Sequence, residues 1–243
     1  RVKYRSQSVE SGDGERWLSA PKLLLHARVK PILESVARQR ILALLLLSVC
    51  AYLLFFFGLN RAGLIGPDEP RYADIGRAMF ESGDWVTPRL FGEPWFEKPA
   101  LLYWLIGGGF TLGLGDTVGP RFPIALLSIL ALAGYYLGLN RLLGARPAMG
   151  AAVMLAISVG WLGFSHAAVT DLPLTVFFGA GMLLAMPWAL RGEQRLLPWS
   201  AACFAAASLA KGLVPLVLAA PLLAFGWRRI GDWLRAAPLG AFA

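Results

Sequence analysis

Cysteine and histidine are nearly absent, with two of each in 243 residues. Cys50 and Cys203 both lie inside apolar runs, as small core residues do, and their spacing offers neither a disulfide framework nor a metal-ligand pattern. Charge is scarce as well. Asp, Glu, Lys and Arg make up 16% of the chain, against about 25% in a typical soluble domain. Only 15 residues are acidic. The first apolar run begins 40 residues in and is too long for the core of a signal peptide. No internal repeat is evident.

What fills the sequence instead is apolar. Hydrophobic residues are 57% of the chain, and the mean hydropathy is +0.58. Uncharged runs cover residues 41–59, 122–140, 147–170 and 172–190, with 19, 19, 24 and 19 residues. Each is close to the ~20 residues a helix needs to cross a bilayer. The fold class expected is therefore an all-α polytopic membrane protein. The net charge of +8 is spread over short loops between these runs. It reads as the basic bias of cytoplasmic loops, and no nucleic-acid partner is expected.

Residues 1–40 hold nine Lys/Arg and four Asp/Glu and read as a polar cytoplasmic tail leading into a first span at 41–59. Residues 60–121 form a large loop with eight of the 15 acids. Within it, Tyr72, Ile75, Gly76, Met79 and Phe80 follow the i, i+3, i+4, i+7, i+8 pattern of an amphipathic helix. Asp68 or Glu69 suits its cap, Pro70 its first turn and Gly83 its end. Arg71, Asp74, Arg77 and Glu81 make its polar face, and the helix is expected to lie on the membrane surface.

The apolar stretch 100–115 has only 16 residues, with Gly107-Gly108-Gly109 at its centre. Charge parity decides its course. If it does not cross, Arg141/Arg146, Arg191/Arg195 and Arg228/Arg229/Arg235 all fall inside, and Asp68, Asp171 and Lys211 fall together outside. If it does cross, every one of those arginines lies outside. The non-crossing reading is preferred, with residues 122–243 forming the remaining spans. Residues 196–227 would make a helix of about 48 Å, too long for a ~30 Å core. Two short spans turning at Lys211-Gly212 fit better, which gives six spans in all. Trp188, Trp199, Trp227 and Trp233 are placed as anchors near the inner face.

Four ionisable clusters thus share one membrane face: Asp68-Glu69 with Arg71 and Tyr72, Glu97-Lys98, Asp171, and Lys211. Each has an ordinary use as a helix cap, a turn charge or a snorkelling side chain, and His166 reads as a satisfied polar residue. Their common side is what points to chemistry. A carboxylate can orient or deprotonate an acceptor, while cations or a bound divalent metal neutralise a departing phosphate. A sugar transferase with a lipid-phosphate donor needs both. A transporter or flippase of lipid-linked sugars would instead place such groups near the midplane on broken helices. A non-catalytic scaffold would leave the charge set without a role.

The motifs carry a resemblance. Pro67-Asp68-Glu69-Pro70-Arg71-Tyr72-Ala73-Asp74-Ile75, then Ser82-Gly83-Asp84-Trp85-Val86-Thr87-Pro88-Arg89, then Phe96-Glu97-Lys98-Pro99 and Tyr103-Trp104, resemble the first periplasmic loop of lipid A aminoarabinose transferases. These are kin to protein O-mannosyltransferase-like membrane glycosyltransferases of GT-C fold. Thr170-Asp171-Leu172-Pro173-Leu174 and Ala210-Lys211-Gly212 resemble later motifs in the same order. The resemblance implies the N-terminal part of a GT-C-like helical bundle in the bacterial inner membrane, with its site facing the periplasm. It implies sugar transfer from an undecaprenyl-phosphate donor to a lipid A-like, protein or glycan acceptor. By motif, Asp68 and Glu69 are the catalytic pair. Arg71, Tyr72, Lys98, Asp171 and Lys211 bind substrate, and Glu97 holds a divalent metal or substrate. Pro70 stands where Thr is common, which leaves the sugar and acceptor open. Family members are longer, with further spans and a periplasmic C-terminal domain, so this chain is expected to be an inactive part of a longer enzyme.

Overall fold

The computed structural model describes residues 45–221. The chain divides into two compact units, Arg1–Cys50 and Ala51–Ala243. Of the first, only residues 45–50 are described, and they are helical. The expected polar tail at 1–40 lies outside the described residues, as do Trp227, Trp233 and the end of the last expected span.

The order is helical almost throughout. Helix α1 (Leu45–Phe56) ends in a π-helical turn over Tyr52–Phe56. Helix α2 (Asp68–Ser82) and helix α3 (Leu101–Phe110) flank a small hairpin of β1 (Arg89–Leu90) and β2 (Glu93–Pro94). Then come α4 (Gly115–Leu143), α5 (Ala145–Ala156), α6 (Val159–Ser165), α7 (Asp171–Arg191), α8 (Leu197–Lys211) and α9 (Val214–Leu218).

Helix α2 forms where the pattern placed it. Asp68 and Glu69 occupy its first turn, where carboxylates suit the positive end of the helix dipole. Gly83 ends it in the left-handed region at φ 72°, its N–H donating to the Met79 carbonyl. Neither acid caps it by a side-chain bond, since Pro67 holds the cap position. Its apolar face is covered by protein: Tyr72, Ile75 and Met79 are buried, and Gly76 sits against Ile106 of α3. Phe80, at the margin of that face, is 41% exposed and stacks on Phe110.

The hairpin was not legible in the sequence, where Gly92-Glu93-Pro94 reads only as turns. Arg89 pairs with Pro94 and Leu90 with Glu93. Phe91 and Gly92 form the tip with φ 52° and 86°, the positive pair that a tight hairpin turn of matching twist requires.

Helix α3 has ten residues, about 15 Å at 1.5 Å per residue. That is half of a ~30 Å hydrocarbon core, so its length agrees with the non-crossing reading. Helices α4 and α7, at 29 and 21 residues, are each long and apolar enough to cross a membrane. The 24-residue run at 147–170 is not one straight span. It is the pair α5 and α6, bent by 60°, with Ser158 capping α6 through the Trp161 N–H. The helix that follows Arg195 stops at Lys211 and restarts as α9 after Gly212, which is where two short spans were expected to turn. Trp188 is not an interfacial anchor. It is 1% exposed, packed in the cluster of Ala185, Leu197 and Phe204 that joins α7 to α8.

Candidate functional site

One cavity of about 360 Å³ collects residues from four helices and two loops. Asp68 and Tyr72 come from α2, four residues apart and so on one helix face. Lys98 precedes α3. Phe164 comes from α6, Val169 and Thr170 from the link to α7, Asp171 from the first turn of α7, and Lys211 from the last turn of α8. Five of the expected site residues therefore meet at one place, although they span 143 positions of sequence (68 to 211).

The antiparallel pairing of α7 and α8 explains the far wall. It brings the start of one helix beside the end of the other, so Lys211 Nζ donates to Asp171 Oδ1 at 2.7 Å. Both charges also suit their own helix dipoles, acid at an N-terminus and base at a C-terminus. The near wall is a chain of charges on the surface of α2. Arg71 donates to Asp68 and lies 3.3 Å from Glu97, whose other oxygen is 3.2 Å from Lys98 Nζ. Arg71 and Glu97 thus stand behind the lining residues and fix them.

Electrostatics follow from this packing. Burial works against the charge of Arg71, but Glu97 and Asp68 outweigh it and push its guanidinium above its ordinary value. Burial first, then the Asp68 and Glu97 carboxylates, raise the Tyr72 phenol, which stays protonated and able to donate. Each lysine ammonium has three N–H donors and one carboxylate partner. Two cations with spare donors therefore face one small cavity, beside a carboxylate that is 54% exposed at Asp68.

Glu69 is placed differently from its neighbour. It does not line the cavity and is 1% exposed. Oε1 accepts from Arg121 Nε at 2.7 Å and from the Ala168 N–H at 2.9 Å; Oε2 accepts from Arg121 Nη2 and the Ile65 N–H, both at 2.7 Å. Burial alone would raise its carboxyl, but those four donors hold it below the ordinary carboxylate range. A carboxylate so enclosed and saturated positions the fold; it has no free lone pair aimed at a substrate. The paired-catalyst reading of Asp68-Glu69 gives way to one carboxylate at the cavity and one beneath it.

Arg121 is the residue the sequence reading missed. Its signal was a lone cation at the head of an apolar run, after Pro120, which looked like the end of the loop. Phe164, Val169 and Thr170 were missed too, being apolar or neutral. His166 is satisfied locally, its Nδ1 2.9 Å from the Leu162 carbonyl oxygen.

The residues present do not fit a divalent metal at Glu97. Among the described residues no three His, Cys, Asp or Glu side chains converge, and Glu97 is engaged by Arg71 and Lys98.

Known proteins match both sequence and fold. An undecaprenyl phosphate-alpha-4-amino-4-deoxy-L-arabinose arabinosyl transferase 2 of Pseudomonas fluorescens is 34% identical over 203 residues, 79% of this chain and 34% of the relative. The corresponding transferase of Pseudomonas aeruginosa is 32% identical over 81% of this chain and 38% of its own length. The crystal structure of ArnT from Cupriavidus metallidurans bound to undecaprenyl phosphate superposes with a TM-score of 0.69 at 32% identity, over 82% of this chain and 38% of that one. The helical bundle is accordingly the GT-C-like one the motifs implied. The chain spans about a third of the length of the curated relatives it matches. With residues 40–230 matched to the family described as dolichyl-phosphate-mannose-protein mannosyltransferase, the chain belongs to that family of membrane glycosyltransferases.

Proposed function

We propose that this chain carries part of the active site of a glycosyltransferase that moves a sugar from a polyprenyl phosphate to an acceptor at the outer face of the cytoplasmic membrane. The observation that carries this reading is the convergence of Asp68, Tyr72, Lys98, Asp171 and Lys211 on one cavity at helix ends. The names of the matched transferases support undecaprenyl phosphate as the donor lipid and an aminopentose as the sugar.

The chemistry is a direct, inverting displacement. The acceptor oxygen attacks the anomeric carbon, and the sugar–phosphate bond breaks with its electron pair leaving on the phosphate oxygen. Lys98 and Lys211 face the cavity with spare donors and receive that charge. Tyr72 donates a hydrogen bond as a neutral phenol. Asp68 holds the acceptor. A phosphate acceptor, as on a lipid A-like molecule, is already ionised, and there Asp68 orients. A Ser/Thr hydroxyl must lose a proton, and there Asp68 is the base. A flippase is less well supported, because these charges sit at helix ends around a small cavity.

The test uses the full-length protein in membrane vesicles with a labelled polyprenyl-phosphate sugar. Asp68→Asn is expected to abolish transfer, by a factor of 10³ or more on the order of a general-base or orienting role, while membrane insertion persists. Lys98→Gln and Lys211→Gln are each expected to slow transfer by about 10²-fold. Near-normal turnover of Asp68→Asn would remove Asp68 from the chemistry.

A further inference from the structure

Away from this site, a second cavity of about 620 Å³ follows the seam between α4 and α7. Leu130 and Leu137 of α4 and Leu183 and Leu184 of α7 are among its apolar walls. It is not a packing gap left by helices that fail to meet. A Cβ at Gly138 would stand 2.4 Å from Leu183 Cδ2, and one at Gly179 would stand 2.3 Å from the Tyr135 hydroxyl. Tyr135 also donates to the carbonyls of Thr175 and Val176. The helices touch along the seam, and a groove runs beside it.

The groove is long and charged at one end. From Leu127 to Arg141 it covers 14 helical steps, about 21 Å, most of a ~30 Å hydrocarbon core. An extended acyl chain can lie along that length against its apolar walls. Arg141 and Arg191 both line it, and they mark the C-terminal ends of α4 and α7. Arg191 pairs with Glu193, which also lines the groove. Arg141 has no carboxylate partner among the described residues. Arginines at span ends are usually membrane anchors; here both share one apolar groove, which such an anchor does not require.

We propose that this groove binds an anionic glycerophospholipid from the leaflet at the C-terminal ends of α4 and α7. Its phosphate sits on Arg141 and Arg191, and one acyl chain lies along the seam. Basic pockets between spanning helices on the cytoplasmic side are the known setting for such headgroups.

The experiment is native mass spectrometry of the full-length protein in mild detergent, titrated with phosphatidylglycerol and with phosphatidylethanolamine. Phosphatidylglycerol is expected to be retained about tenfold better. The double variant Arg141→Gln/Arg191→Gln is expected to erase that preference. Gly134 lines the groove, and a Cβ there meets nothing within 4 Å, so Gly134→Leu should fold normally and displace both lipids by filling the channel. Equal retention of the two lipids, or a preference untouched by the arginine variant, overturns the proposal. So does unchanged retention in Gly134→Leu, because the groove is then covered by another span of the longer protein.

Discussion

Arg121 holds Glu69 through two bonds of 2.7 Å across 52 residues of sequence, and both side chains are at most 3% exposed. The guanidinium has five N–H donors, and all five are used. Two go to Glu69, two to the Leu59 and Ala62 carbonyls and one to that of Gly63, at 2.7 to 2.9 Å. Glu69 in turn takes the N–H of Ala168, beside the cavity residues Val169 and Thr170. One ion pair therefore ties the link after α1, the start of α2, the head of α4 and the wall before α7.

Removing either partner leaves a buried charge without compensation, which costs about 3–5 kcal/mol. Arg121→Met and Glu69→Gln are expected to lower the melting temperature of the detergent-solubilised protein sharply and to abolish function with it. Arg121→Lys is expected to recover little, because an ammonium cannot reproduce a planar fork that serves a carboxylate and three carbonyls. A melting curve for Arg121→Lys that overlays the parent would show that the bidentate geometry is dispensable.

The same pair sets a pH dependence. The Glu69 carboxyl is held below its ordinary value in the folded protein, so the unfolded chain binds its proton at higher pH than the folded one. The stabilisation is fully present above the unfolded value, about 4.3, and is lost as pH falls through the folded one. The gap in stability between the parent and Glu69→Gln should be flat from pH 8 to about 5 and shrink only below about pH 4. Thermal scans across that range read it directly. A gap that already narrows at pH 6 to 7 would mean that burial raises the Glu69 carboxyl and that Arg121 does not prevail.

Each glycine of Gly107-Gly108-Gly109 meets a different neighbour. A Cβ at Gly109 would stand 2.0 Å from the Gly119 carbonyl oxygen, and one at Gly107 would stand 2.8 Å from the Trp85 ring. At Gly108 it meets nothing within 4 Å. Gly109→Ala should be the most damaging, since backbone must move, at about 1–3 kcal/mol or more. Gly107→Ala should be intermediate, because a ring at the surface can shift. Gly108→Ala should be neutral or stabilising by up to about 1 kcal/mol, the helical preference of Ala over Gly. Chemical denaturation of the three variants gives the order, and destabilisation by Gly108→Ala would contradict it.

Much of this was legible in the sequence, and the gaps have physical causes. Period and punctuation located α2, because Tyr72, Ile75 and Met79 recur at helical spacing and Gly83 ends the run. The same period could not say what covers that face, since buried against α3 and buried against lipid look identical in apolar residues. Motifs gathered Asp68, Tyr72, Lys98, Asp171 and Lys211, and the fold brings them to one cavity. Adjacency misled at Glu69. Neighbours on a helix point about 100° apart, so two consecutive acids cannot share one task as readily as residues four apart. Arg121 escaped because its partner is 52 positions away, and nothing local marks a buried ion pair. The bend between α5 and α6 was hidden inside an uncharged run, since hydropathy is blind to Ser158 acting as a cap.

The sidedness of the site is a matter of crossings, and it can be read by labelling. Helix α3 is too short to cross, α4 is long enough to cross once, and the bent pair α5 and α6 is long enough together to return. That order puts Gly108 and Asp171 on one side. The cavity agrees with it, since Asp68 and Asp171 both line one space. With Cys50 and Cys203 replaced by alanine, Gly108→Cys and Asp171→Cys in the full-length protein should both react with a membrane-impermeant maleimide from outside. Arg195→Cys, beyond the end of α7, should react only after the membrane is opened. Labelling of Asp171→Cys only in opened vesicles, with Gly108→Cys accessible from outside, would put a membrane between two walls of one cavity and refute the crossing order.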